Sequence, residues 1–437
     1  MKIKTGFAKE IILNREGLNH MEIELIPPIL EVEKDSKKPV LMVLVLDRSA
    51  SMDGTVDSNG RYNLSYSSLS NPKERCYRES ESKLSRAKNS AIKFMDLLTE
   101  KDLFGVVTFD DLAFTEQELV HITRNNRNEV MSTIRKITTG GCTNISDSIS
   151  KAFSMITEEH IKNYDCKIIV VSDGQANRGI TDIDGLSTLT LKLFEAGVTI
   201  STLGIGLDYD SKILNAISTS GGGLFYHVED LGLLDQIFKD ELNLSRSTTA
   251  KGVKLLLELP NLIEISENLN SYTQEIKDDY IEVFIGDMHT KRSVIFEIKN
   301  NFVNEDIQFN IKVVYKTKDG ADHIVKTSNY LKVVCEEQKL SKYKENSDIV
   351  KRVVDLIKNK AVVSSVESYE NGNIIGLQNT FMNSSVRLDS IACNYTSVNV
   401  SQEKNELKDL ETKYSSNSIT RSMSKTMYAS FSSSMRK

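Results

Sequence analysis

The segment LVLDRSASM sets Asp47, Ser49 and Ser51 at alternate positions directly after the apolar run Val40–Leu46. One carboxylate and two hydroxyls at that spacing are hard oxygen donors, the kind a divalent cation such as Mg2+, Mn2+ or Ca2+ accepts. Two later segments carry the same chemistry. In TTGGCTNI, Thr143 follows a glycine pair, where the backbone is expected to come close to a bound ion. In IIVVSDG, Asp173 ends a second apolar run. Strands of a parallel sheet all end on one edge, and α/β folds place their ligands there. Asp47, Ser49, Ser51, Thr143 and Asp173 are therefore expected to converge as a metal site, although they are far apart in the chain.

Catalytic chemistry finds less support. The six histidines (His20, His121, His160, His227, His289, His323) show no metal-ligand spacing and no pairing with Ser or Cys. Neither a GxSxG elbow nor a GxxxxGK[ST] loop occurs, and Gly221–Gly223 reads as a turn. A phosphotransfer enzyme with Asp47 as nucleophile is the best enzymatic rival, yet the second acid usual two positions on is Ser49. No catalytic residue is assigned.

The elements that must position these side chains alternate. Strand-like Val40–Leu46 precedes the helical spacing of Leu84, Ala87, Ala91, Phe94, Met95 and Leu98. The strand candidate Leu103–Phe109, helices near Arg127–Ile137 and Ile145–Ile156, and the strand Cys166–Ser172 follow. Helices Leu186–Ala196, Ser211–Ser218 and Leu231–Asn243 alternate with strands Thr199–Ile205 and Leu224–His227. This pattern predicts an α/β fold, a doubly wound and mostly parallel sheet over residues 38–245. Polar residues 53–82 interrupt it as a long inserted loop, read either as a disordered surface excursion or as a segment that caps the site or lends it a ligand.

From 246 to 336 short, partly alternating runs such as VKLLLEL and SVIFEIK predict an accompanying β-sandwich domain, to which strands in residues 1–37 are expected to contribute. Residues 337–414 read as a helical region, with Ile349, Val350, Val353, Val354 and Ile357 on one face. Residues 415–437, rich in serine and basic side chains, are expected to be a flexible tail whose serines phosphorylation would turn anionic.

DxSxS, a Thr after a Gly-rich turn and strand-Asp-Gly, in this order, resemble the metal-ion-dependent adhesion site (MIDAS) of a von Willebrand factor type A (vWA) domain. The resemblance includes KLSRAKNSAIKFMDLL, FGVVTFDD and STSGGGLFYHVED and spans about residues 38–243. It implies a Rossmann-like fold and Mg2+, with Mn2+ or Ca2+ as alternatives. It also implies Ser49 and Ser51 as direct ligands, Thr143 as ligand directly or through water, and Asp47 and Asp173 holding coordinated waters. The remaining position would be filled by an Asp or Glu of a partner protein. Ala50 stands where many members have Gly, and Cys142, a soft thiol, is expected to pack as a small apolar residue. A second resemblance, on GDMHTKRSVIFEIK, is to bacterial and inter-α-trypsin-inhibitor-like proteins that join a vWA domain to a β-sandwich.

Composition sets the remaining bounds. The net charge of −6 argues against nucleic acid as the main partner, and no run approaches the roughly 18–20 apolar residues of a membrane span. Five scattered cysteines without a CxxC pair read as free thiols, which, with a charged N-terminus unlike a signal peptide, leads to an expected cytoplasmic location. The expected function is non-enzymatic, metal-dependent protein binding. Two alternatives are a structural subunit that self-associates through the same site and, less favoured, an Mg2+-dependent phosphoester hydrolase.

Overall fold

The computed structural model describes residues 1–29, 38–54, 82–260, 263–317, 320–336, 343–416 and 418–436. Most of the 53–82 insertion, and with it the expected cap or extra ligand, lies outside the described residues. The chain divides into two compact units. One comprises Glu31–Lys251 together with 318–320; the other comprises Met1–Leu30, Gly252–Thr317 and Ala321–Lys437.

The first unit is built on a six-stranded sheet. Its strands are β4 (Val40–Asp47), β5 (Leu103–Phe109), β6 (Ala113–His121), β7 (Asp165–Ser172), β8 (Val198–Ile205) and β9 (Gly222–Val228). They lie in the order β6-β5-β4-β7-β8-β9, parallel except for β6, which runs antiparallel to β5 at one edge. Every residue of β4, β5, β7 and β8 is buried. Their unbroken Val, Ile and Leu runs suit a sheet covered on both faces. The covering helices are α1 (Lys83–Phe94), α2 (Arg127–Lys136), α3 (Ile145–Ser154), α4 (Glu158–Asn163), α5 (Ile183–Glu195), α6 (Ser211–Ser220) and α7 (Leu234–Ser247). On one face Met42, Leu44 and Leu46 pack against Leu84 and Ala91 of α1 and Phe238 of α7. The Phe94 ring lies 5.9 Å from both Phe104 and Phe238. Strand β6 and helix α4 have no counterpart in the periodicity: β6 is a half-exposed edge in which Glu116, Gln117 and Glu118 interrupt the apolar pattern.

In the second unit, β1 (Lys2–Phe7), β3 (Gly17–Ile26), β14 (Arg292–Asn300) and β11 (Ile263–Asn268) form a four-stranded sheet in the order β1-β3-β14-β11. A six-stranded sheet has the order β12-β13-β10-β15-β16-β2. Its members are β12 (Thr273–Ile276), β13 (Tyr280–Met288), β10 (Ala250–Glu258), β15 (Ile307–Lys316), β16 (Asp322–Val334) and β2 (Ile11–Leu13). N-terminal residues thus enter both sheets, and the Phe7 ring meets Phe309 at 5.2 Å across them.

Four helices complete this unit: α8 (Ser347–Glu370), α9 (Ile374–Asn394), α10 (Ser401–Ser415) and α11 (Arg421–Ser434). The last corrects the expected flexible tail. Thr420 caps α11, and Ser424, Lys425, Tyr428 and Ser432 are buried. Small serines let the helix lie close on α8, where Lys425 pairs with Glu370 at 3.0 Å and Tyr428 donates to Glu367 at 3.2 Å. The chain end is held as well. Asn270 Nδ2 donates to the Met435 carbonyl at 2.7 Å, and Tyr272 donates to the Arg436 carbonyl. The low apolar content of the tail hid a helix stabilised by specific polar contacts.

Candidate metal centre

Asp47 is the last residue of β4, and Asp173 directly follows β7, its neighbour in the sheet; Leu46 pairs with Val171 in register. Two carboxylates are therefore delivered side by side, and both are fully buried. Ser172 Oγ donates to Asp47 Oδ2 at 2.5 Å, and the Ser49 backbone N–H donates to Asp47 Oδ1 at 2.8 Å. Ser49 Oγ lies 3.0 Å from Ser51 Oγ, and Ser51 Oγ donates to Asp173 Oδ1 at 2.7 Å. The two acids and two serines form one continuous hydrogen-bonded chain. Ser51 is exposed whereas Ser49 is buried, so the cluster reaches solvent on the Ser51 side.

Thr143 completes the set from the loop that opens α3. A Cβ added at Gly174 would lie 3.0 Å from Thr143 Oγ1 and 3.6 Å from Asp47 Oδ2, so both flank the same point. All five sequence-derived residues are thus brought to one edge. The glycine pair before Thr143 has a role other than approach to an ion. A Cβ at Gly140 would fall 2.0 Å from an Asp110 carboxylate oxygen, and one at Gly141 would fall 2.1 Å from Asp111. The glycines make room for these acids, and Asp110 in turn pairs with Arg48 at 2.8 Å. Cys142 is half-buried.

Three residues that sequence reasoning missed belong to the site. Ser172 bridges the two strand ends. Asn177 clamps Thr143 from both sides, its Oδ1 accepting from the Thr143 N–H at 2.9 Å and its own N–H donating to the Thr143 carbonyl at 3.1 Å. Lys83, the first residue of α1, is 2% exposed and donates from Nζ to Asp173 Oδ2 at 2.5 Å. The signals were thin: Ser172 is the polar residue breaking an apolar run, and Lys83 is a cation where helix N-termini ordinarily disfavour one.

The electrostatics favour a cation. Burial, and then the charge of neighbouring Asp173, push the Asp47 carboxyl up to about 7 despite the hydrogen bonds from Ser172 and Ser49. Two buried acids with one ammonium carry a net charge of about −1 when all three are ionised. The donors are carboxylate and hydroxyl oxygens, which fit a hard divalent ion. Among the described residues no group of three or more His, Cys, Asp or Glu side chains could hold a metal, so any ion here would depend on the hydroxyls.

The family model for the von Willebrand factor type A domain matches residues 42–240. Residues 42–240 form a vWA domain. The match takes in its sheet and helices apart from the first two residues of β4 and the last seven of α7, and the N- and C-terminal parts of the chain lie outside it. The uncharacterized protein YfbK of Escherichia coli K12 is 27% identical over 162 residues, covering 37% of this chain and 28% of that protein. Human inter-alpha-trypsin inhibitor heavy chain H3 is 20% identical over 294 residues, covering 63% of this chain and 33% of that one. The chain thus matches a third or less of each of these relatives. A solved structure, a von Willebrand factor type A protein from Catenulispora acidiphila, aligns with TM-score 0.64 at 14% identity. It covers 94% of this chain and 96% of its own, so the similarity of fold extends beyond the vWA domain into the second unit.

Proposed function

We propose that the vWA domain is a non-enzymatic, metal-dependent protein-binding module. Asp47, Ser49, Ser51, Thr143 and Asp173 would hold a divalent cation, Mg2+ first and Mn2+ or Ca2+ as alternatives. The reading rests on one observation: two buried carboxylates joined through Ser49 and Ser51 at the carboxyl edge of the sheet, with Ser51 open to solvent. When bound, the cation supplies a positive coordination position for an anionic side chain from outside. Lys83 adds to that polarity, because Asp47, Asp173, Lys83 and a divalent ion together carry about +1. A surplus of one charge beside an exposed hydroxyl favours an Asp or Glu of a partner protein.

The chain's net charge of −6 runs against nucleic acid as that partner. Among the described residues no helix is long and apolar enough to cross a membrane. The free thiols of Cys142, Cys166, Cys335 and Cys393 support a reducing compartment, the cytoplasm. The bacterial and inter-α-trypsin-inhibitor-like resemblance fits the second unit, read as the β-sandwich that carries the module.

An affinity pull-down tests the reading, comparing wild type, Asp47→Ala and Thr143→Ala with Mg2+ and with EDTA. Partners are expected to be captured by wild type in Mg2+ alone, with the variants checked for folding by circular dichroism. Identical partner sets in all conditions would refute metal-bridged capture. Mg2+-dependent phosphoester turnover that disappears in Asp47→Ala would replace it with hydrolysis.

A further inference from the structure

Strand β16 has 13 residues, and β2, its neighbour at the edge of the six-stranded sheet, has only 3. On one side β15 pairs with β16 from Asp322 to Leu331 in one unbroken register. On the other side β2 pairs only with Lys332–Val334. The path of the N-terminal chain causes the shortfall. Before β2 it belongs to the other sheet, where β1 pairs with β3 from Lys2 to Phe7. Among the described residues no strand pairs with residues 322–331 on the β2 side.

The hydrogen bonds to β2 show which groups line that edge. The Lys332 N–H donates to the Glu10 carbonyl at 3.1 Å, and the Val334 carbonyl accepts from the Asn14 N–H at 3.0 Å. The Val333 N–H points the other way, to Asp306 Oδ1 at 2.9 Å. Main-chain polar groups alternate sides along a strand. Ile324, Lys326, Ser328 and Tyr330 therefore turn their N–H and C=O groups away from β15. Of these, the Tyr330 N–H meets the Asn329 side chain at 2.9 Å, a bond that an incoming carbonyl can replace. Donors and acceptors repeating at strand spacing are matched by another extended backbone.

The side chains select the chemistry of that backbone. The four outward-turned residues are exposed, and register sets Lys312 of β15 directly beside Lys326. Like charges so placed repel, whereas an acid alongside is favourable. The acid of this strand, Asp322, lies 4.0 Å from Lys316 instead. Among the described residues neither Lys312 nor Lys326 forms an ion pair. Ile324 (58% exposed) and Tyr330 (53%) stand on either side of Lys326. An edge lysine deters pairing with a second copy of the same edge and leaves it open to an acidic strand.

We propose that residues 324–330 of β16 are a docking edge for an extended acidic segment of a partner protein, which joins the sheet as a further strand. Its alternate residues set a Glu or Asp beside Lys326 and apolar side chains beside Ile324 and Tyr330.

A synthetic peptide of nine residues provides the test. It is threonine throughout, except for valine at its second and eighth positions and glutamate at its fourth and sixth, a pattern that reads alike in both directions. Fluorescence anisotropy of the labelled peptide is followed with the full chain in EDTA, so that the metal centre takes no part. Saturable binding is expected, weaker on the order of tenfold when lysine replaces both glutamates and likewise in Lys326→Glu. Ser328→Pro removes an outward N–H and spares the ladder to β15, a change that edge strands tolerate. It is expected to abolish binding in protein that still folds. Hydrogen exchange needs no variant: the peptide should protect the amides of Ile324, Lys326 and Ser328 and leave those of Val325 and Thr327 unchanged. No binding up to about 1 mM, equal binding of the lysine peptide, or protection confined to other strands would overturn the proposal. So would protection of the same amides by raising protein concentration without peptide, which would give the edge to a second copy.

Discussion

At the scale of single residues, Lys83 separates two quantities that other changes at the site would move together. Its ammonium is 2% exposed and sits 2.5 Å from an Asp173 oxygen, so it competes for the negative charge that a divalent ion needs. Lys83→Met keeps most of the volume and removes the charge. Affinity for the ion, read by titration calorimetry or by Tb3+ luminescence, is expected to rise on the order of tenfold, about 1.4 kcal/mol. Capture of an acidic partner is expected to weaken at saturating Mg2+, because the surplus positive charge is lost. Weakening of both would mean that Lys83 holds the site together rather than tuning its charge. Asp173→Asn should lower ion affinity by tenfold or more, on the order of 1.4 kcal/mol at least. The five oxygen donors were legible because each sits at the end of an apolar run or beside glycines, a local pattern. Lys83 and Asn177 were not, because their contacts are made across the fold. The glycine pair was legible as a motif, but its cause, the carboxylates of Asp110 and Asp111, was not.

Elements respond through packing and through their own charges. In β8, a Cβ at Gly204 would fall 2.4 Å from the buried ring of Tyr209. Gly204→Ala should therefore cost about 1–3 kcal/mol by overpacking, visible as a lower denaturation midpoint of the vWA domain. In the second unit, Tyr428→Ala should cost about 3–5 kcal/mol by emptying the contact of α11 and removing its bond to Glu367. No loss would restore the flexible tail expected from composition. The helices differ in legibility for a physical reason. The single apolar face of α8 is a clear signal, whereas apolar residues on two opposed faces of α9, buried Leu377 and Leu388 and exposed Met382 and Val386, blur any periodicity, and the buried serines of α11 give none. Beneath α9 lies a charge cluster with a pH signature. His20, Ser266 and Arg387 hold the Glu297 carboxyl down to about 2 against the opposing effect of burial. A carboxyl depressed on folding stabilises the protein fully above its ordinary value of 4.5, and that contribution is lost as pH falls toward about 2. The melting temperature of the second unit should fall across that window, and Glu297→Gln should flatten the fall. An unchanged acid limb in the variant would assign the loss to other groups.

For the whole molecule, the division into two compact units has a thermodynamic consequence. A chain with two cores is not obliged to unfold in one step, and a ligand stabilises only the unit that binds it. Calorimetry suits the question because the chain has no Trp to report unfolding by fluorescence. Two transitions are expected. Tyr428→Ala should lower one of them and Gly204→Ala the other, which identifies the units without separating them. Mg2+ at about one hundred times its dissociation constant should then stabilise the vWA transition by about 2.7 kcal/mol and leave the other in place. EDTA should reverse the shift, and Asp173→Asn should remove it. A shift of both transitions by Mg2+ would mean that the units unfold as one cooperative body. No shift of either, in protein whose two transitions the variants have already assigned, would remove the metal from the account. The domain would then bind partners through its surface alone, with Lys83 as the permanent counter-ion of Asp173.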